Sequence, residues 1–418
     1  MSGITLLSSE SPIYPFSLVL AHYEQMSADT GFPLVFRIPD EILADVFLLN
    51  TNRAVEFWDR SKQDGGKDHD PGLTTRYSSQ VCQRWREVAL GHSTLWGRII
   101  HYTEDPLPWI DELLLRTHQT TLELGQAREL GQLAYPKLSV LSRVMCHAQR
   151  LKTVNMLVEQ TTWQGICEGI LQNRAPSLEH FHLSIRGTTQ MFTGTLFADD
   201  APCLRRLHLR CCLVNLTSPT LSNLTELSVA SITFGAPTID AWLRILGNMP
   251  FLCWLSIEKA ISGPFPTCPF PNPHLPNLSC LAIDGDFRDC MALINHITYP
   301  PLRVLGLKCV DVTSGSTLNH LLSMIEKSLS LWPPPAKAEH YFIVNCLEHN
   351  AFRMRNSIRL GGTWGIGKPE ATDDSSLQYP VISIHLVFVN AEELESSFWD
   401  LRPEVKDGQL VFFVDSRD

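Results

Sequence analysis

The residues with the best claim to chemistry are a glycine-rich run and a set of scattered histidines. Gly362-Thr-Trp-Gly-Ile-Gly367-Lys368-Pro369 fits a phosphate-cradling loop up to its last position. Such a loop needs a Ser or Thr hydroxyl there for magnesium, and a lysine that opens a helix. Proline supplies no hydroxyl, and the following Glu370 to Ser376 is polar and acidic. A glycine-rich surface turn is the better reading, inside an exposed loop over 361–377. His180, His182, His208 and Cys211 lack the spacing of metal ligands, and Arg205, Arg206 and Arg210 make a small basic spot. Neither a Gly-x-Ser-x-Gly nor a His-Glu-x-x-His motif occurs, so catalysis, cofactor and metal find no support.

Composition narrows the class further. The 418 residues carry 34 Lys and Arg against 44 Asp and Glu, a net charge of −10. A nucleic-acid binder normally presents a basic stripe, so that partner is not expected. The 12 cysteines include no Cys-x-x-Cys pair and read as reduced, mostly buried thiols. No apolar run reaches the roughly 18 residues of a membrane span, and Phe16 to Ala21 is too short for a signal peptide. The expectation is a cytoplasmic or nuclear protein that meets no membrane.

The elements that must position any site are repeats. Leucine occupies 58 positions. A phrase Pro-x-Leu-x-x-Leu-x-apolar begins at Pro176, Pro202, Pro250, Pro276 and Pro300, with a proline-free copy from Leu224 and a weaker one from Leu151. Its first leucines, at 151, 178, 204, 224, 252, 278 and 302, stand 20 to 28 residues apart. The last two apolar residues of each phrase alternate along a short strand, so both point to one face. One copy cannot bury that face; stacked copies can. Between phrases, helical spacing recurs at Trp163, Ile166, Ile170 and Leu171; at Ile239, Trp242, Leu243 and Leu246 behind a Thr238 N-cap; at Phe287, Cys290, Ile294 and Ile297; and at Leu318, Leu321, Leu322 and Ile325.

Period and phrase resemble the leucine-rich repeat. That resemblance implies an α/β solenoid over 101–331, with a parallel sheet on its concave side and helices on its convex side. Strand positions alternate with the core positions, so His180, His182, Arg206, His208, Arg210, Glu226, Trp254, Glu258, Asp284 and Lys308 are expected on the concave, substrate-facing surface. Trp254 is the first choice as an anchor, because exposed Trp and Arg are typical hot-spot residues. Residues 332–418 read as degenerate repeats or a C-terminal cap, with a strand near Val381–Val389, a helix over Ala391–Leu401 and a closing strand at Leu410–Val414.

The N-terminal part differs. After a segment over 1–35 comes Ile38-Pro39-Asp40-Glu41-Ile42-Leu43-Ala-Asp-Val46-Phe47. Val81-Cys82-Gln-Arg84-Trp85-Arg86 and Leu95-Trp96-Gly-Arg-Ile99 follow. Together they resemble an F-box of the variety abundant in fungi, a small all-α module over 36–100. A polar insertion over about 50–76 departs from that pattern. The resemblance implies the substrate receptor of an SCF-type cullin-RING ubiquitin ligase. Pro39, Ile42, Leu43, Val46, Phe47, Val81 and Trp85 would then dock on a Skp-type adaptor, and the repeats would hold a substrate protein. Transfer would be positional, through effective concentration, with no chemistry in this chain. The alternative is a leucine-rich interaction scaffold without a ligase. Titration with magnesium ATP is expected to give no heat of binding; saturable binding would restore the 362–368 loop as a nucleotide site.

Overall fold

The computed structural model describes residues 37–51, 71–102, 105–125, 137–262, 271–300, 302–312, 338–347, 351–360, 363–365, 381–388 and 411–414; side chains are described for these except residues 71, 165–170 and those beyond 310. The described residues form two compact units, one up to His92 and one from Ser93 onward. Residues 93–100, assigned by sequence to the helical module, therefore group with the sheet.

The first unit holds helices α1 (Asp40–Leu49), α2 (Pro71–Ser78) and α3 (Gln83–Gly91). Asp40 and Glu41 lie in the first turn of α1, where the helix dipole favours negative charge. Leu43, Ala44 and Phe47 are buried. The Phe47 ring meets Trp85 of α3 edge to face at 5.2 Å. Arg84 Nη2 pairs with Asp40 Oδ1 at 2.7 Å and also donates to the Ile38 carbonyl. Helix α2 corrects the sequence reading, because residues 71–76 of the expected polar loop are helical. Residues 52–70 lie outside the described residues.

The second unit is mixed α/β. After helix α4 (Ser93–Gly97), nine strands pair parallel in one sheet. They are β1 (Ile100–His101), β2 (Leu122–Gly125), β3 (Leu151–Glu159), β4 (His180–Arg186), β6 (Arg206–Arg210), β8 (Glu226–Ala230), β9 (Trp254–Glu258), β10 (Cys280–Asp286) and β11 (Val304–Val312). Two-residue strands β5 (Gln190–Met191) and β7 (Cys212–Leu213) pair separately. Each of the seven repeat phrases becomes one strand beside the next. Helices α5 (Leu107–Arg116), α6 (Leu138–Met145), α7 (Gln160–Leu171), α8 (Ile239–Gly247) and α9 (Phe287–Asn295) fall between strands.

Register explains the core. One row runs Val154, Phe181, Leu207, Leu227, Leu255, Leu281, Leu305; the next runs Met156, Leu183, Leu209, Val229, Ile257, Ile283, Leu307. Every member is buried. The repeat's proline has a local reason. The N–H groups of Leu178, Leu204, Leu252 and Leu278 each donate to the carbonyl three residues back. Proline is then the second residue of each turn, where its fixed φ fits. Between β6 and β8 the spacing shrinks to 20 residues, and a 3₁₀ turn at Pro219–Asn223 replaces a helix and buries Leu221. Between β8 and β9 the segment forms α8; Thr238 Oγ1 accepts the Ala241 N–H at 3.3 Å as its cap, and the Trp242 indole donates to the Ala260 carbonyl at 2.9 Å.

The repeat ends also share geometry. Cys211, Ser231 and Lys259, each just after a strand, adopt φ of 52°, 57° and 48°. Their N–H groups donate to the carbonyls of Ala230, Glu258 and Asp284 on the next strand. The left-handed conformation is strained for these residue types, yet it carries the parallel ladder one residue further.

Beyond β11 the pattern changes. Strand β15 (Val381–Phe388) pairs parallel with β11, then an antiparallel hairpin follows, β13 (Ala351–Leu360) with β12 (Ala338–Leu347), and β16 (Val411–Val414) closes the edge beside β12. Strand β14 (Thr363–Gly365) pairs with β13, so part of the expected 361–377 loop is strand. The expected helices around Leu318–Ile325 and Ala391–Leu401, and the side chains of Ile166 and Ile170, lie outside what is described. In chemical denaturation, Lys259→Gly is expected to match or exceed wild type, whereas β-branched Lys259→Val is expected to lose about 1 kcal/mol or more.

Candidate functional site

On the helical unit, α1 is apolar on two sides. Leu43, Ala44 and Phe47 face its own core, and Trp85 joins them. Leu43, Phe47 and Trp85 were expected at an adaptor interface; their burial assigns them to the interior instead. The other side of α1 carries Pro39, Ile42, Val46 and Leu49, spaced as one helical stripe. Pro39, Ile42 and Leu49 are exposed and Val46 is half-buried. Val81 is exposed too, because it precedes the extended Cys82 that opens α3 and so does not share the Trp85 face. Leu73 and Tyr77, four residues apart on α2, add exposed apolar surface that sequence reading missed. The two-sided apolar pattern of α1 was the available signal, since such a helix needs two partners.

On the sheet, the rows between the core rows face away from the core. The first runs His180, Arg206, Glu226, Trp254, Cys280, Val304. The second runs Asn155, His182, His208, Ser228, Ser256, Ala282, Gly306, and the third Leu157, Ser184, Arg210, Ala230, Glu258, Asp284, Lys308. Every sheet residue expected there by sequence falls on these rows. Asn155 and Leu157 extend them onto β3, whose phrase was the weakest. One expectation needs correction. Asp284 is buried rather than presented to a partner, with Oδ2 held by Lys308 Nζ at 2.9 Å.

Charges on this face are paired across strands. Arg206 Nε lies 3.0 Å from Glu226 Oε1, and Arg210 Nη1 lies 3.7 Å from Glu258 Oε2. His208 Nε2 stands 3.7 Å from Glu226 Oε2, an electrostatic contact longer than a good hydrogen bond. Burial acts to raise the Glu226 carboxyl, but His208 and Arg206 together hold it below its ordinary value. The His208 ring packs against His182 at 5.7 Å and edge-on against Trp254 at 5.7 Å. Trp254 sits on β9 and His208 on β6, so the indole reaches across β8, where Ser228 is buried. Burial, then His208 and Arg210, push His182 down to about 3; burial and Arg206 likewise lower His180.

Among the described residues, no group of three His, Cys, Asp or Glu is placed to hold a metal. The nine cysteines whose side chains are described are free thiols. No described helix is long and apolar enough to cross a membrane. In comparisons of the chain with family models, curated proteins and solved structures, nothing matches.

His182 generates a test. Its folded form resists protonation while the unfolded chain takes the proton near pH 6.5. Stability is therefore full above about pH 6.5 and falls as the pH drops toward 3. By pH 4.5 the loss from this group is about 2–3 kcal/mol. Urea denaturation of His182→Gln is expected to show that much less loss between pH 7 and 4.5.

Proposed function

We propose that this chain is the substrate-recognition subunit of an SCF-type cullin-RING ubiquitin ligase. The helical unit acts as an F-box that docks on a Skp-type adaptor, and the sheet unit is a leucine-rich-repeat solenoid that holds a substrate protein. The observation that carries the reading is the stripe Pro39, Ile42, Val46 and Leu49. Three of these four, Pro39, Ile42 and Leu49, stay exposed on α1 although the opposite side packs on Trp85. A small unit that displays Ile42, Leu49, Val81 and Tyr77 at more than half their full exposure presents surface suited to a partner. Helix-face recognition of this kind is driven by apolar burial. The seven phrases form strands β3, β4, β6, β8, β9, β10 and β11, which pair parallel in that order, and this supports the repeat assignment. The chain itself performs no chemistry in this reading; it raises the local concentration of substrate lysines.

The test is co-purification of the full chain with a Skp-type adaptor. Wild type is expected to bind one to one. Ile42→Glu with Val81→Glu is expected to weaken binding at least tenfold with an unchanged melting transition, since both positions are exposed. Phe47→Ala is unsuitable, because it removes the ring packed on Trp85 and is expected to destabilise the unit by about 3–5 kcal/mol. A folded wild type that ignores the adaptor would overturn the reading and leave a repeat scaffold.

A further inference from the structure

We propose that the outward sheet face around Trp254 takes an uncharged, unphosphorylated polypeptide segment, seated by an apolar side chain against the indole. This rests on the substrate-receptor reading and names the class of substrate.

The first argument is charge. Six formally charged Lys, Arg, Asp and Glu side chains stand on the first and third outward rows from β6 to β11: Arg206, Glu226, Arg210, Glu258, Asp284 and Lys308. They form three opposite pairs at 3.0, 3.7 and 2.9 Å. Arg186, further along β4, is likewise 3.4 Å from Glu159. The chain as a whole carries −10, yet this patch sums to zero.

Phosphate recognition demands cations free to converge on one group, most often through bidentate arginine. Here each arginine already faces a carboxylate that would repel a phosphate. Drawing Arg206 away would leave Glu226, only 23 % exposed in its side chain, without its cation. Losing the partner of a partly desolvated charge costs more than an exposed ion pair returns. The same reasoning disfavours strongly acidic or basic segments. Burial and nearby arginines also keep His180 and His182 in their neutral forms at pH 7, so they add no charge.

The second argument is shape and composition. The middle row steps down from His182 and His208 to Ser228, Ser256, Ala282 and Gly306. Adjacent strands lie about 4.8 Å apart, so the four small residues span about 14 Å. That length matches about four residues of extended chain. Trp254 rises on one flank, braced edge-on by His208. Trp254, half-buried and pre-positioned by that contact, is of the residue type that dominates interfaces.

The experiment uses the purified full chain without adaptor, so its failure is separable from failure of adaptor docking. A random peptide library displayed on phage, hence unphosphorylated, is selected on the chain. Recovered peptides are synthesised and titrated by fluorescence anisotropy. Expected are peptides of near-zero net charge with an apolar or aromatic residue, Kd values that change less than threefold between 50 and 500 mM NaCl, and at least tenfold weaker binding to Trp254→Ala. Trp254→Phe, which keeps an aromatic ring, should melt like wild type and lose less. Phosphoserine placed in the same peptide is expected to weaken binding, and Glu226→Gln, which frees Arg206, to restore part of that loss. Recovery of no peptides or only charged, salt-sensitive ones, tighter binding of the phosphorylated form, or indifference to Trp254→Ala would each overturn the proposal.

Discussion

The structure depends on a pair of apolar rows that no single repeat can bury. Phe181 and Leu183 on one strand lie between Val154 and Met156 on one side and Leu207 and Leu209 on the other, and Phe197 from the connecting segment packs edge-on against Phe181. Parallel pairing in chain order is what brings equivalent residues into line. The rest follows from keeping that line unbroken. The proline turns start β4, β6, β9 and β10 at the same point, the left-handed residues Cys211, Ser231 and Lys259 end β6, β8 and β9 at the same point, and the segments between need only return the chain and add apolar cover. They do this as α8 between β8 and β9 and as 3₁₀ turns between β4 and β6 and between β6 and β8.

The same alignment creates the outward surface. A strand that buries every second residue displays the ones between, so register that serves packing also sets charges opposite one another. Arg206 meets Glu226, and Lys308 meets Asp284, because Leu207 meets Leu227 and Leu307 meets Ile283. The charge pattern of the outward face is thus a by-product of the core, modified by which residue occupies each outward slot.

Much of this could be read before any coordinates. The seven strands, the Thr238 cap and the division into core and outward rows follow from leucine spacing and from proline as punctuation. Other features were hidden by physical ambiguity. Helix α1 carries apolar residues on both sides, so spacing alone could not say that Leu43 and Phe47 face inward while Ile42 and Leu49 face out. Val81 has the right spacing to share a face with Trp85, but the helix starts only after Cys82. Asp284 looks like a displayed charge until its pairing with Lys308 is seen. The antiparallel hairpin over Ala338–Leu360 lacks the repeat phrase. Its signal was alternation, with Phe352, Met354, Ile358 and Leu360 among arginines and polar residues.

The sheet begins with β1, a strand of only two residues, Ile100 and His101. A long, flat edge would offer an unsatisfied row of N–H and C=O groups to any extended chain, including another copy of this protein. A stub of two residues offers too few hydrogen bonds to template such growth. A nine-strand parallel array could in principle lengthen indefinitely by end-to-end addition. At this end, it is instead brought to a stop by the brevity of its first strand.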